Sequence, residues 1–309
     1  MKASYRVLII KCIVFIALFV GMDFVIGKVF RFLENKAVDK SPYGMVKEYT
    51  MWKVDTDVVI IGASEATHSY IPSILENSLD MSVYNCSHDG CRFYYQNAMV
   101  RGIMERYHPQ MILWSISPTY LSPPRAGADN GLSELSVFYK ENTFCRQALA
   151  TKSKYEPIKL LSNSYIYNSR LFPFLYNIFL AHYQYDKGYA PLYGSSANTN
   201  FEEDRFDERF DESIGSVFEE TLRQCIQNDV NVILVFTPRY KFMDFSNFES
   251  YLQLKAITTK YDVGLLEDLY HHDELMKEEY FKDNSHFNHK GATLFSKILG
   301  EQVKEYYIN

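Results

Sequence analysis

The chain has 309 residues, enough for one large domain or two small ones with an ample core. Its formal net charge of -6 argues against nucleic acid as a partner. Its five cysteines show no CxxC spacing, which points away from a zinc site or a redox motif and leaves Cys86 and Cys91 as either a pair or two buried thiols.

Residues 1–6 carry Lys2 and Arg6 and lead into VLIIKCIVFIALFVGMDFVIGKV, from Val7 to Val29. At about 1.5 Å per residue this run is long enough for a hydrocarbon core of roughly 30 Å. It is apolar nearly all round, unlike an amphipathic core helix. Lys11 and Asp23 fall near its two ends, where a long side chain snorkels and an acid reaches the interface. A cleaved signal peptide is the rival reading, but the stretch is long for one and no small-x-small site follows it. The positive-inside rule then puts residues 1–6 in the cytoplasm and the rest of a single-pass chain outside the cell membrane. Residues 30–54 are charged and mixed; they read as a stalk or a short helix.

From residue 55 strands and helices alternate. Asp57–Gly62 is the first strand. Thr67–Leu79 is helical with a break at Pro72. Met81–Asn85 is a second strand, Cys91–Tyr107 a helix, and Gln110–Ile116 a third strand. From Thr119 to about Asp211 regularity lapses into Pro, Gly, Ser and Asn clusters with many tyrosines. An insertion of this length inside an α/β pattern is usually a lid or a binding element. Its apolar Phe172–Leu180 stretch reads as a short helix that packs on the core. The pattern resumes with a helix at Ser213–Asn228, a strand at Val230–Thr237, a helix at Phe248–Tyr261, a short strand at Val263–Leu266 and a last helix at Asn288–Tyr307. Strands that are near-continuous apolar runs imply a parallel sheet covered on both faces. Five of them suit the flavodoxin-like order 2-1-3-4-5, a three-layer sandwich whose carboxyl ends share one edge. Ser64, the Asn85–Gly90 loop and Ser117 should gather there.

Ser64 stands two residues after the glycine that ends the first strand. A serine at a strand-to-helix turn is a nucleophile candidate, or merely a helix cap. Asp283 and His286 lie three apart just before the last helix. A histidine near its unperturbed pKa can take the serine proton if a carboxylate holds its other ring nitrogen. Asp283, on the same turn, can do that. His286, His289 and Asp283 also allow a metal cluster, but no further convergent ligand is evident, so neither metal nor cofactor is expected. His68 reads as a surface or packing histidine, and Arg239 as a surface residue or an anion ligand.

The combination resembles the SGNH (GDSL-like) hydrolase superfamily, in which a Gly-x-Ser turn opens the domain and an Asp-x-x-His pair closes it. The resemblance covers roughly Asp55 to the C-terminus without the insertion, and its most specific part is the Asp283-x-x-His286-x-Asn288-x-x-Gly291-Ala292 ending. It implies Ser64 as nucleophile, His286 as base and Asp283 as its orienting acid. It also implies that the Gly90 and Ser64 N–H groups form the oxyanion hole. The family's third block, Gly-x-Asn-Asp, is replaced here by Ser115-Ile116-Ser117-Pro118, so either Ser117 or Asn85 supplies the missing donor, or the enzyme is slow or specialised. An α/β-hydrolase elbow fits less well, because Ala66 stands where that motif needs glycine.

Two readings follow. One is an extracytoplasmic, membrane-anchored serine esterase or O-acyltransferase. It would act on an acylated envelope or secreted glycan, or another ester, with a membrane acyl-donor partner as a further expectation. The other is a non-catalytic binding or assembly protein on a degenerate scaffold of the same type.

Overall fold

The computed structural model describes residues 2–124, 130–181, 186–195, 207–240 and 244–308. In chain order the elements are α1 (Lys2–Lys40), α2 (Val46–Trp52), β1 (Val58–Ile61), α3 (Ser64–Thr67), α4 (Pro72–Leu79), β2 (Val83–Asn85), α5 (Phe93–Met104) and β3 (Met111–Ile116). Then come α6 (Thr143–Ala150), α7 (Glu156–Lys159), α8 (Asn163–Ile166), α9 (Leu171–Phe179), α10 (Glu212–Gln227), β4 (Asn231–Phe236), α11 (Glu249–Tyr261), β5 (Gly264–Leu266) and α12 (His289–Ile308). They form two compact units. One joins Met1–Met45 to Glu134–Tyr183, and the other joins Val46–Ser133 to Gln184–Asn309.

The first unit is helical. α1 does not stop at the end of the apolar run but continues through the charged residues up to Lys40. Its stretch from Tyr5 is long and apolar enough to cross a membrane. Residues Glu134–Tyr183, part of the irregular insertion, pack on this helix. Phe30 stacks on Tyr167 with ring centroids 5.3 Å apart and meets Phe174 edge-on at 6.2 Å. Glu34 is fully buried and receives bonds from Arg31 and the Tyr167 hydroxyl. The short helices start on side-chain caps. Asn142 accepts from the Cys145 N–H for α6, and Ser162 accepts from the Tyr165 N–H for α8.

The second unit holds a five-stranded parallel sheet in the order β2-β1-β3-β4-β5. This is the doubly wound α/β arrangement. β1 and β3 are buried at every position, as strands covered on both faces must be. Side chains alternate between the two layers. Val58, Ile60, Met111, Leu113, Ile233 and Val235 pack with Leu75 of α4 and Phe295, Leu299 and Val303 of α12. On the opposite face Trp114 meets Phe218 of α10 at 5.5 Å, and Phe93 of α5 lies 6.4 Å from the same ring. Each such fully buried large side chain contributes about 1.5–3 kcal/mol.

Pro72 stands at the first turn of α4, where its missing N–H costs nothing, so the predicted break separates α3 from α4. The left-handed Asp80 ends that helix. Asp211 caps α10 by accepting from the Ser213 and Ile214 N–H groups. Among the described residues no cysteine is in a disulfide, and Cys86 and Cys91 are both buried.

Candidate active site

β1 ends at Ile61, and the chain turns at once into α3, whose first residue is Ser64. Gly62 makes that turn possible. A Cβ at this position would lie 2.5 Å from the Ala66 Cβ and 2.9 Å from the Ser115 Cβ. The strand end is thereby pressed against both α3 and β3, which fixes where Ser64 emerges.

The Asp283–His286 turn is held from both sides. Phe281 and Phe287 are fully buried, pair as an antiparallel bridge and bring their rings to 4.4 Å. Between them, Asp283 Oδ1 accepts from the Ser285 N–H at 2.8 Å and the His286 N–H at 3.0 Å. Arg239, just beyond β4, donates to the Ser285 hydroxyl at 2.5 Å. These bonds leave the His286 ring little freedom.

The ring bridges the two segments. Its Nδ1 lies 2.9 Å from both Asp283 carboxylate oxygens, and its Nε2 lies 2.7 Å from Ser64 Oγ. A proton on Nδ1, held by the carboxylate, leaves the Nε2 lone pair for the serine hydroxyl proton. Burial works to raise the Asp283 pKa. The His286 ring, the two backbone N–H groups and the imidazole charge outweigh it and hold the carboxyl below its ordinary value. Asp283 is therefore an anion near neutral pH.

Gly90 lies in the loop after β2 and lines the same cavity as Ser64. It adopts a left-handed φ of 70°, and a Cβ there would meet open space. The cavity is about 250 Å³ and is also bordered by Tyr94, Ser117, Thr119 and Arg239. Ser117 is half-buried, with its hydroxyl 3.3 Å from that of Thr119.

Asn85 does not join them. Its side chain is fully buried, and its amide donates to the Ala66 carbonyl at 2.9 Å and the Tyr70 carbonyl at 3.1 Å. Its Oδ1 accepts the Ser87 N–H at 3.1 Å. With both amide hydrogens committed, Asn85 has nothing left to offer an oxyanion. It ties the end of β2 to the chain between α3 and α4. The oxyanion expectation for this residue is corrected accordingly. Cys86 is no rival nucleophile, because burial pushes its thiol up to about 12. His289 faces elsewhere, with Nδ1 2.9 Å from the Tyr189 hydroxyl. Among the described residues no group of three His, Cys, Asp or Glu side chains converges as a metal site.

The chain matches no family model and no curated protein. A solved structure is similar to it: protein YxiM from Bacillus subtilis, with a TM-score of 0.42 and 12% identity over 82% of this chain. The chain covers 58% of YxiM, less than two thirds of its length.

The structure also brings in residues that the sequence left aside. His68 is not a bystander. Its ring meets that of His286 edge-to-face at 5.7 Å. Its Nδ1 donates to the Ala190 carbonyl at 2.7 Å, which turns Nε2 toward the Asp89 carboxylate at 3.3 Å. A neutral ring with Nδ1 protonated would oppose a lone pair to that carboxylate, so the arrangement favours the second proton. Burial pulls the His68 pKa down, but Asp89, the Ala190 carbonyl and Asp283 together raise it above the ordinary value. His68 thus links α3, the loop of Gly90 and the His286 ring. Beneath the site, Ser115 and Tyr70 each place a hydroxyl 2.7 Å from Thr237 Oγ1, a buried chain at the ends of β3 and β4. A lone histidine and scattered hydroxyls carry no spacing signal in sequence, because their partners come from other strands.

Proposed function

We propose that this chain is a membrane-anchored serine hydrolase or O-acyltransferase of SGNH type, acting on an acyl ester of an envelope or secreted glycan. The observation that carries this reading is the contact of His286 Nε2 with Ser64 Oγ at 2.7 Å, with Nδ1 held by Asp283 at 2.9 Å. A base, a nucleophile and an orienting acid at these distances are what acyl transfer needs.

Ser64 Oγ attacks the acyl carbonyl carbon as its proton passes to His286 Nε2. The carbonyl oxygen becomes an oxyanion facing the N–H groups of Ser64 and Gly90, and the Ser117 hydroxyl is the third donor in reach of the cavity. Collapse breaks the ester bond. The leaving alcohol takes the proton from His286 and departs, and the acyl group stays on Ser64. His286 then deprotonates the acceptor, which attacks the acyl-serine; the acyl–Oγ bond breaks and Ser64 Oγ takes the proton back from His286. Water as acceptor makes the protein an esterase, and a sugar hydroxyl makes it a transferase. α1 tethers the unit to a membrane as a single-pass anchor, with the α/β unit on the extracytoplasmic side.

The test is chemical. A fluorophosphonate probe should label the parent chain at Ser64, and Ser64→Ala should lose both the label and turnover of p-nitrophenyl acetate. Unchanged turnover in a folded Ser64→Ala protein would exclude this function.

A further inference from the structure

α9 has no polar face: its one polar side chain, Asn177, is buried. Its inner face buries Phe174 against Phe30 and Tyr167. Its outer face carries Phe172, Tyr176 and Phe179, with Leu180 just beyond, at the i, i+4, i+7, i+8 spacing of a single stripe. That stripe stays open: Phe172 is 82% exposed and Phe179 72%. Ile158 and Leu161, at and just after α7, are each 69% exposed. A helix apolar all round belongs in a core or in lipid. One side of α9 has a core, and the other has none.

The docking point on α1 says what covers it. Asp23 receives the Ser162 hydroxyl and the Ser164 and Asn163 N–H groups, each at 2.8 Å, so the start of α8 is fastened there. From Val7 to Asp23 the apolar run measures about 24 Å at about 1.5 Å per residue. That is about 6 Å short of a core of roughly 30 Å, so a spanning α1 puts Asp23, and the helices fastened around it, just inside the far boundary of the hydrocarbon. The charge of the segment fits. From Asn142 to Ala181 it carries Arg146, Lys152, Lys154, Lys159 and Arg170 against Glu156 alone, in a chain of net charge -6. Lys154 and Lys159 lie over the exposed rings of Tyr155 and Tyr165 at 5.0 and 5.6 Å, pairs suited to the headgroup level.

We infer that α7 to α9 form a foot that lies in the membrane surface, with Phe172, Phe179, Leu180, Ile158 and Leu161 inserted among anionic lipids and the lysines at the headgroups. This rests on the proposed span of α1.

The test uses the full chain in phosphatidylcholine–phosphatidylglycerol vesicles. Single tryptophans replace Phe172, Phe179, Phe15 in the span and Leu252 on α11, all exposed positions. Added emission is read against the parent with lipids brominated at shallow or deep acyl positions. F172W and F179W should lose emission most with bromines about 5–10 Å below the headgroup boundary, F15W with deep bromines, and L252W with neither. Quenching of F15W without F172W or F179W overturns the foot and leaves the span standing. No quenching at any position overturns both. Blue-shifted F172W emission that bromine does not quench means a second copy of the chain covers this face, which also overturns the foot.

Discussion

Asp283→Asn separates an orienting acid from a bystander. The asparagine Oδ1 can still accept from the Ser285 and His286 N–H groups, now at 2.8 and 3.0 Å, so the turn keeps its shape. What changes is the other oxygen, 2.9 Å from His286 Nδ1, which becomes an NH2 donor. Oδ1 also lies 2.9 Å from Nδ1 but already serves the two N–H groups, so a donor beside it biases the ring proton toward Nε2, the atom that faces Ser64. Nε2 then offers a hydrogen instead of taking one, and the imidazolium formed during attack loses its counter-charge. A wrong tautomer of this kind costs about 10⁴ in kcat, equivalent to about 5.5 kcal/mol of barrier. Folding should lose less than about 2 kcal/mol, because one charged hydrogen bond is weakened and none of the backbone donors is orphaned. The assay is kcat on p-nitrophenyl acetate beside a urea titration of the same sample. If the folded variant stays within tenfold of the parent, Asp283 does not orient the ring and the argument from geometry fails.

Gly62→Ala places a Cβ 2.5 Å from that of Ala66, so we expect a loss of about 1–3 kcal/mol in urea titration and a displaced, slower Ser64. A variant equal to the parent in both measurements contradicts the close approach. Asn85→Ala strands the Tyr70 carbonyl and the Ser87 N–H, which should cost about 1–3 kcal/mol of stability. Its folded fraction should keep kcat within tenfold, whereas a missing oxyanion donor would lower kcat by about 10²–10³. For His68 the sign follows from the raised folded pKa. Its stabilisation is full below the ordinary value of about 6.5 and is lost as pH rises through the higher folded value. The Tm difference between the parent and His68→Gln should therefore narrow from pH 6 to pH 8, by a small amount because the Asp89 side chain is 56% exposed. A difference that widens with pH contradicts the pairing.

The sheet was legible because its signal is local and redundant. Each strand is a short apolar run, four of the five closed by Gly, Pro or Asn, and helices fill the gaps, so both topology and strand order followed. The meeting of Ser64 with His286 was legible for a related reason. A parallel sheet delivers the end of every strand to one edge, and an aspartate three residues before a histidine closes its own turn. Asn85 misled because position on that edge does not fix direction. Its neighbour Ser87 shares the loop, and the amide satisfies carbonyls behind the sheet edge instead of facing the cavity. Only the count of its hydrogen bonds distinguishes the two orientations, and sequence does not contain that count.

The sequence predicts that the Phe172–Leu180 stretch of the insertion packs on the core, and here periodicity reaches its limit. Phe172-Pro173-Phe174-Leu175-Tyr176 contains two apolar stripes at once, Phe174 on one side and Phe172 with Tyr176 on the other. An amphipathic helix names its buried face by its polar one, but a helix without a polar face names neither. Asp23 was the clue available in the sequence. A carboxylate inside an apolar run demands donors, and Ser162-Asn163-Ser164 is the stretch that supplies them, 139 to 141 residues away. Once those bonds are drawn, the Glu134–Tyr183 part of the insertion belongs with α1. On the proposed foot, lipid is the occupant of the second stripe of α9.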